Sequence, residues 1–266
     1  MTLKIGSLFS GYGGLDMAVE SFFKAETKWF VEFDEAPSKI LAHHWPHVPN
    51  LGDVTKVDWA QVEPVDIITG GFPCQPFSTA GLRKGEHDER HLWPHIVTAI
   101  RHLRPQHIIL ENVQGLRSLG LNRVLGDLAE AGFHARWESV RASHVGAPHH
   151  RERLFILASS PHAESVRRRP GLWLRGAPQA KPGVRFRDDV LPRWAGAVGG
   201  EPRFADSSGR LAAEYPEWMM GLPAGHVTSP EIGLSYREQL RAIGNGVCPQ
   251  QALLALEILT SDEELV

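Results

Sequence analysis

The sequence predicts an α/β protein with a Rossmann-like, mainly parallel twisted sheet covered by helices on both faces, plus a small irregular lobe. Three observations predict it. From residue 3 to about 158, apolar and β-branched runs alternate with helix-like patterns. A glycine-rich turn, Ser10-Gly11-Tyr12-Gly13-Gly14, joins the first strand to the first helix. Beyond Ser159 the periodicity gives way to Pro, Gly and Arg until about Ser208, and then returns. The expected division is a body over 1–159, a short lobe over 160–208 and a segment over 209–266 that rejoins the body.

The elements follow in order. LKIGSLF reads as a strand ending at Phe9, LDMAVESFF as a helix, KWFVEF as a second strand ending near Glu32 and Phe33, and DIITGG as a buried strand. PHIVTAIRHL is apolar at Ile96, Ala99, Ile100 and Leu103, a helical spacing, and the strand HIILE follows Pro105. A helix is expected near Asn122 to Ala131, then two strands, His134 to Arg141 and Arg153 to Ala158. After the lobe, periodicity resumes at EYPEWMMGL and in a closing helix, PQQALLALEIL.

At 266 residues and 29.5 kDa, one α/β core and one small lobe fill the chain. There is no run of about 18 apolar residues and no apolar signal core near the N-terminus, so the reading expects a cytoplasmic protein without membrane contact. Only Cys74 and Cys248 are present, which cannot staple a domain of this size and fits a reducing compartment. The net charge of −3 hides an asymmetry. Residues 160–210 hold ten Lys and Arg against five Asp and Glu, leaving that window at +5 and the rest at −8. A basic segment on an acidic body suits a lobe that meets phosphates, although a solvated basic loop gives the same count.

Three segments carry candidate chemistry. In the first glycine turn, Gly11, Gly13 and Gly14 allow positive φ and close backbone approach, and the N-terminus of the helix that follows, with Asp16 in its first turn, offers free amide donors to a carboxylate or phosphate. Glu32, about 20 residues on, is placed to accept ribose hydroxyls, and Asp53 with Val54 in GDVT lies beyond the next loop. The order is GxGG rather than GxGxxG, which favours an adenosyl cofactor without phosphates. In DIITGGFPCQPFS, Pro73 and Pro76 stiffen the turn that presents Cys74, an arrangement suited to a covalent nucleophile. Cys248 has no such setting and reads as a small buried hydrophobe. No metal site is expected.

GGFPCQPFS resembles the nucleophile motif of the C5 cytosine-specific DNA methyltransferases. FSGYGG, VEFD, GDVT, LENV, HHRERLF and AIGNGV resemble other motifs of that family in the family's order, and EYPEWMMGLP resembles the segment that closes its target recognition region. The resemblance implies a Rossmann-like S-adenosylmethionine-dependent methyltransferase fold, with 1–159 catalytic and cofactor-binding and 160–208 a short target recognition lobe. It implies that Cys74 attacks C6 of cytosine, that Glu111 holds or protonates N3, and that of Arg151 and Arg153 one meets the base oxygen, preferably Arg153, while the other orders the cysteine loop or a phosphate. Phe9, Gly11, Gly13, Gly14, Glu32, Phe33, Asp53, Val54, Pro73, Asn245 and Val247 would surround S-adenosyl-L-methionine. The expected partner of a monomer is double-stranded DNA with the target base flipped out, since C5 and C6 are unreachable inside a duplex. Restriction-modification, with a separate cognate endonuclease, and phage self-protection are the contexts it implies.

The loop after the nucleophile, with Gly81, Arg83, Lys84 and Gly85, is expected to close as a lid. The sequence departs from the family at His149, where glutamine is usual, at RHLW in place of RGTLF, and in the shortness of the lobe, where Gln179, Arg185 and Arg187 are candidate base readers. Three alternatives stand beside this reading. A tRNA cytosine-5 methyltransferase would use the same cysteine, but its Cys-Phe-Thr signature is absent. A noncatalytic DNA-binding relic leaves the intact Cys74, Glu111 and Arg153 without a purpose. A nucleotide-dependent dehydrogenase leaves PCQ and LENV unexplained.

Overall fold

The computed structural model describes residues 2–73, 92–161, 163 and 201–261. Within them the body is a six-stranded sheet of β1 (Lys4–Leu8), β2 (Glu26–Val31), β3 (Ile67–Gly71), β4 (His107–Val113), β5 (His134–Arg141) and β6 (Glu152–Ser159). The strand order is β2-β1-β3-β4-β6-β5. The pairs β1·β2, β1·β3 and β3·β4 are parallel, whereas β6 runs antiparallel to both β4 and β5. The mainly parallel sheet is as expected, and the reversal at β6 is an addition that hydrophobic patterning does not encode. The pair β5 and β6 is joined by a short connection, Ala142 to Arg151, which has no room for the crossover helix that parallel pairing needs.

The central strands are buried on both faces, so they read as continuous apolar runs. Their side chains alternate between two cores. Ile5, Ile67, Ile109, Phe155 and Leu157 point to one face, where α1 (Gly14–Phe23) and α8 (Pro249–Thr260) pack. Leu8, Ile68, Ile108, Leu110, Leu154 and Ile156 point to the other, covered by α3 (Trp93–Leu103) and α5 (Leu121–Glu130). The helix expected from 122 to 131 is thus α5. The other α-helices among the described residues are α2 (Glu35–His44), α4 (Leu116–Leu119), α6 (Glu214–Met219) and α7 (Tyr236–Asn245).

Strand order reverses between β1 and β3, because the chain leaves β1 towards β2 on one side and returns to β3 on the other. The C-terminal ends of β1 and β3 therefore flank the topological switch point, the usual ligand crevice of an open α/β sheet. The first glycine turn follows β1, and Phe72 and Pro73 follow β3. No described helix is long and apolar enough to cross a membrane.

Candidate active site

The glycine turn is built against the C-terminal part of the chain. Phe9, Gly11 and Gly13 all adopt positive φ, which lets the backbone turn sharply from β1 into α1. Tyr12 between the two glycines is wholly buried. Its hydroxyl donates to the Val247 carbonyl at 2.7 Å, and a Cβ on Gly246 would lie 1.8 Å from its ring. A Cβ on Gly14 would lie 2.1 Å from the Val247 carbonyl oxygen, so this glycine is required for the close approach of the two segments.

Glu32 closes the same turn from β2. Its Oε2 accepts the Gly11 N–H at 2.9 Å and its Oε1 accepts the Asp34 N–H at 2.8 Å. Burial holds its carboxyl above the usual carboxylate range, with these amides opposing the shift. Asn50, which sequence reasoning passed over, ties the neighbouring loop to Glu32: its Oδ1 accepts the Glu32 and Gly52 N–H groups and its Nδ2 donates to the Glu32 carbonyl. That brings GDVT beside the end of β2. The Asp53 Oδ1 accepts from the Thr55 N–H and hydroxyl, so this carboxylate also closes its own turn, and Val54 is buried beside it. Phe33 is 75% exposed, a flat apolar face left at the rim next to Glu32.

Beneath the turn, Asp16 is fully buried, accepting from Thr69 Oγ1 at 2.6 Å and Ser7 Oγ at 2.9 Å. Desolvation raises its carboxyl to about 7 despite both hydroxyls. It links α1 to β1 and β3 directly below the crevice.

On the other side of the crevice, Glu111 stands on β4 opposite Gly71 of β3. A methyl group built on Gly71 would lie 3.5 Å from Glu111 Oε2 and 3.8 Å from the Phe9 carbonyl oxygen, so Gly71 separates the carboxylate from the end of β1. Arg153 Nε pairs with Glu111 Oε1 at 2.9 Å. Burial drives the Glu111 carboxyl up to about 7, against the lowering effect of Arg153 and Arg151. A group poised near neutrality can give or take a proton without a large penalty. Next to it, Asn112 Nδ2 donates to the Phe72 carbonyl at 2.9 Å and so fixes the start of the segment that carries Pro73 and Cys74. Cys74 itself, the lid positions Gly81, Arg83, Lys84 and Gly85, and the lobe positions Gln179, Arg185 and Arg187 lie outside the described residues.

Arg151 points elsewhere than Arg153. Its Nη2 donates to the carbonyls of Gly244 at 2.9 Å and Gly246 at 2.7 Å, gripping both sides of Asn245 at the end of α7. Asn245 is exposed at that corner and Val247 is buried. The two arginines are therefore divided, Arg153 to the carboxylate and Arg151 to the α7–α8 corner. Cys248 caps α8 in full burial, which pushes its thiol up to about 12 and leaves it without thiolate character. His149, at the position that departs from the family's pattern, pairs with the Met219 carbonyl at 2.7 Å.

A model of the family described as C-5 cytosine-specific DNA methylase matches residues 3–171, well over half of the chain. The chain belongs to that family. Among curated relatives, the type II methyltransferase M.NlaX of Neisseria lactamica is 35% identical over 166 residues, covering 60% of this chain and 53% of its own. The orphan methyltransferase M.Rho11sI of Bacillus phage rho11s is 32% identical over 163 residues, covering 58% of this chain and 32% of its own. The chain thus spans between about a third and about a half of these curated relatives. Among solved structures, the Dnmt2 methyltransferase of S. pombe superposes with a TM-score of 0.70 at 16% identity, over 96% of this chain and 98% of that one. The Entamoeba histolytica methyltransferase EhMeth gives 0.66 at 18% identity, over 99% of each chain. At such identities these two likenesses show the methyltransferase fold.

Proposed function

We propose that this chain transfers a methyl group from S-adenosyl-L-methionine to C5 of a flipped-out cytosine in a short double-stranded DNA site. The single observation that carries the reading is the buried Glu111–Arg153 pair facing the β1 end across Gly71, in a chain that belongs to the C-5 cytosine methylases. The glycine turn fits the cofactor: positive φ at Gly11 and Gly13 opens a cradle, Glu32 supplies a carboxylate beside it, and Phe33 supplies an exposed apolar face. Phe9, Gly14, Asp53, Val54, Pro73, Asn245 and Val247 complete the surroundings we assign to it. When bound, S-adenosylmethionine supplies an electrophilic methyl carbon.

The chain's residues then act as follows. The Cys74 thiolate adds to C6, and the electron pair displaced from the ring makes C5 nucleophilic. Glu111, protonated, donates at N3 and neutralises the charge that develops there. Arg153 holds Glu111 in place and faces the base oxygen. After methyl transfer, loss of the C5 proton and expulsion of the thiolate restore the ring. Arg151 keeps the α7–α8 corner against the glycine turn. The segment 160–208 acts as the target recognition lobe, its basic residues meeting phosphates.

The setting we assign is a cytoplasmic monomer in a restriction-modification or phage self-protection system, with any endonuclease a separate protein. The names of the type II and phage relatives support the restriction-modification and phage contexts. Incubation of the purified chain with methyl-labelled S-adenosylmethionine and either duplex DNA or bulk RNA tests the reading. Label enters DNA as 5-methylcytosine; label confined to RNA, or absent from both, refutes it.

A further inference from the structure

Tyr12 lies inside the glycine turn, yet what holds it comes from more than 200 residues away. Its hydroxyl is bound by Val247, its ring is closed in by Gly246, and its carbonyl accepts a hydrogen bond from His226 Nε2 at 2.9 Å. His226 is itself held tightly. Its ring stacks on His44 at 4.0 Å between centroids with an 8° tilt, and His44 Nε2 donates to the His226 carbonyl at 2.7 Å. The turn around it is fastened to α6 by Glu217, whose carboxylate accepts the N–H groups of Gly225, Val227 and Thr228 and the Thr228 hydroxyl. Glu217 is buried and spends four hydrogen bonds on this one turn.

A surface turn that serves only as a connection needs no such anchoring. Here the anchored ring delivers one N–H to one carbonyl, and that carbonyl sits between Gly11 and Gly13, whose positive φ values shape the cradle. Among the described residues, Tyr12, His43 and His44 are the titratable groups facing His226, and burial keeps the imidazole neutral as a donor at Nε2.

We infer that His226 is a positioning residue for the cofactor turn, setting its shape through the Tyr12 carbonyl and joining cofactor affinity to the segment that follows the recognition lobe. This rests on the reading that S-adenosylmethionine occupies the glycine turn. The residue acts on binding rather than on the chemical step, because it touches the backbone of the cradle and neither Glu111 nor Arg153.

Two substitutions separate its functions. His226→Phe keeps a ring to stack on His44 but removes the N–H, leaving the Tyr12 carbonyl unpaired. His226→Gln removes the ring but presents an amide N–H at similar reach. Calorimetric titration of the purified chain with S-adenosylmethionine, alongside kcat at saturating cofactor, reads the effect. His226→Phe weakens cofactor binding about tenfold, the scale of one orphaned buried acceptor, with kcat within about twofold of wild type. His226→Gln recovers binding to within about threefold. Binding by His226→Phe within about twofold of wild type overturns the inference, as does equal weakening by both variants. If His226→Phe does not fold, His226→Leu takes its place, since it too removes the N–H to the Tyr12 carbonyl while filling the site with an apolar side chain. Weaker cofactor binding with unchanged kcat then supports the inference, and unchanged binding overturns it. Wild-type protein that binds no S-adenosylmethionine refutes the underlying reading instead, so the two failures are distinguishable.

Discussion

Glu111 and Asp16 are both buried carboxyls raised to about 7, but only one has a cationic partner. Glu111 faces Arg153, so its charge is compensated and its proton is available for chemistry. Glu111→Gln keeps the shape and loses the exchangeable proton, and a kcat reduction of about a hundredfold or more is expected in the methyl-transfer assay, with DNA binding little changed. Asp16 is met instead by the Thr69 and Ser7 hydroxyls. The folded protein binds its proton up to about pH 7 whereas the unfolded chain releases it near 3.8, so this group's contribution to stability falls as pH rises through that window. Urea midpoints at pH 5 and pH 7 should show Asp16→Asn gaining about 2 kcal/mol on wild type across the interval. His226 has the opposite sign. Burial lowers it to about 4, so its contribution is lost as pH falls from 6.5 towards 4. At this scale the sequence shows residue types well and pairings poorly. LENV and HRER are legible as segments, but which arginine meets Glu111 depends on β4 and β6 running antiparallel, with Val113 opposite Arg153. The burial of Cys248 was legible, because nothing near it in sequence activates a thiol.

Among the elements, the glycine turn and the α7–α8 corner form one structure from opposite ends of the chain. Arg151 grips the carbonyls of Gly244 and Gly246, and the corner in turn holds Tyr12. Arg151→Ala is therefore expected to cost about 2 kcal/mol in urea unfolding and to weaken S-adenosylmethionine binding, while Arg151→Lys recovers stability only in part because an ammonium cannot copy the guanidinium fork. Loss of methyl transfer with unchanged stability and cofactor affinity would place Arg151 at the base instead. The six strands and the helices α1, α3, α5 and α8 were legible because apolar residues at helical and continuous-strand spacing mark buried surfaces, whereas α2 and α7, largely polar, were not singled out. The roles of Asn50, Glu217 and His226 were not, since each acts through backbone groups of a distant loop and leaves no local pattern.

For the whole molecule, the reversal of strand order between β1 and β3 brings the glycine turn and Phe72–Pro73 to one end of the sheet, and two apolar cores pack on its faces beneath them. The acidic body and the basic 160–210 window give the chain a polarity that net charge conceals. If the window meets phosphates, binding to nonspecific duplex DNA falls steeply with salt. Replacing Arg185 and Arg187 together by Gln should then shrink the slope of log K against log salt by about 1 to 2. An unchanged slope would remove both from the interface. The most direct test of covalent catalysis is duplex DNA carrying 5-fluorocytosine, incubated with the chain and S-adenosylmethionine and run on a denaturing gel. Fluorine at C5 cannot leave as a proton, so the wild-type chain should accumulate as a stable protein–DNA adduct and Cys74→Ala should give none. An adduct that survives in Cys74→Ala, or methylation of ordinary DNA by a wild-type chain that never traps, would contradict the account.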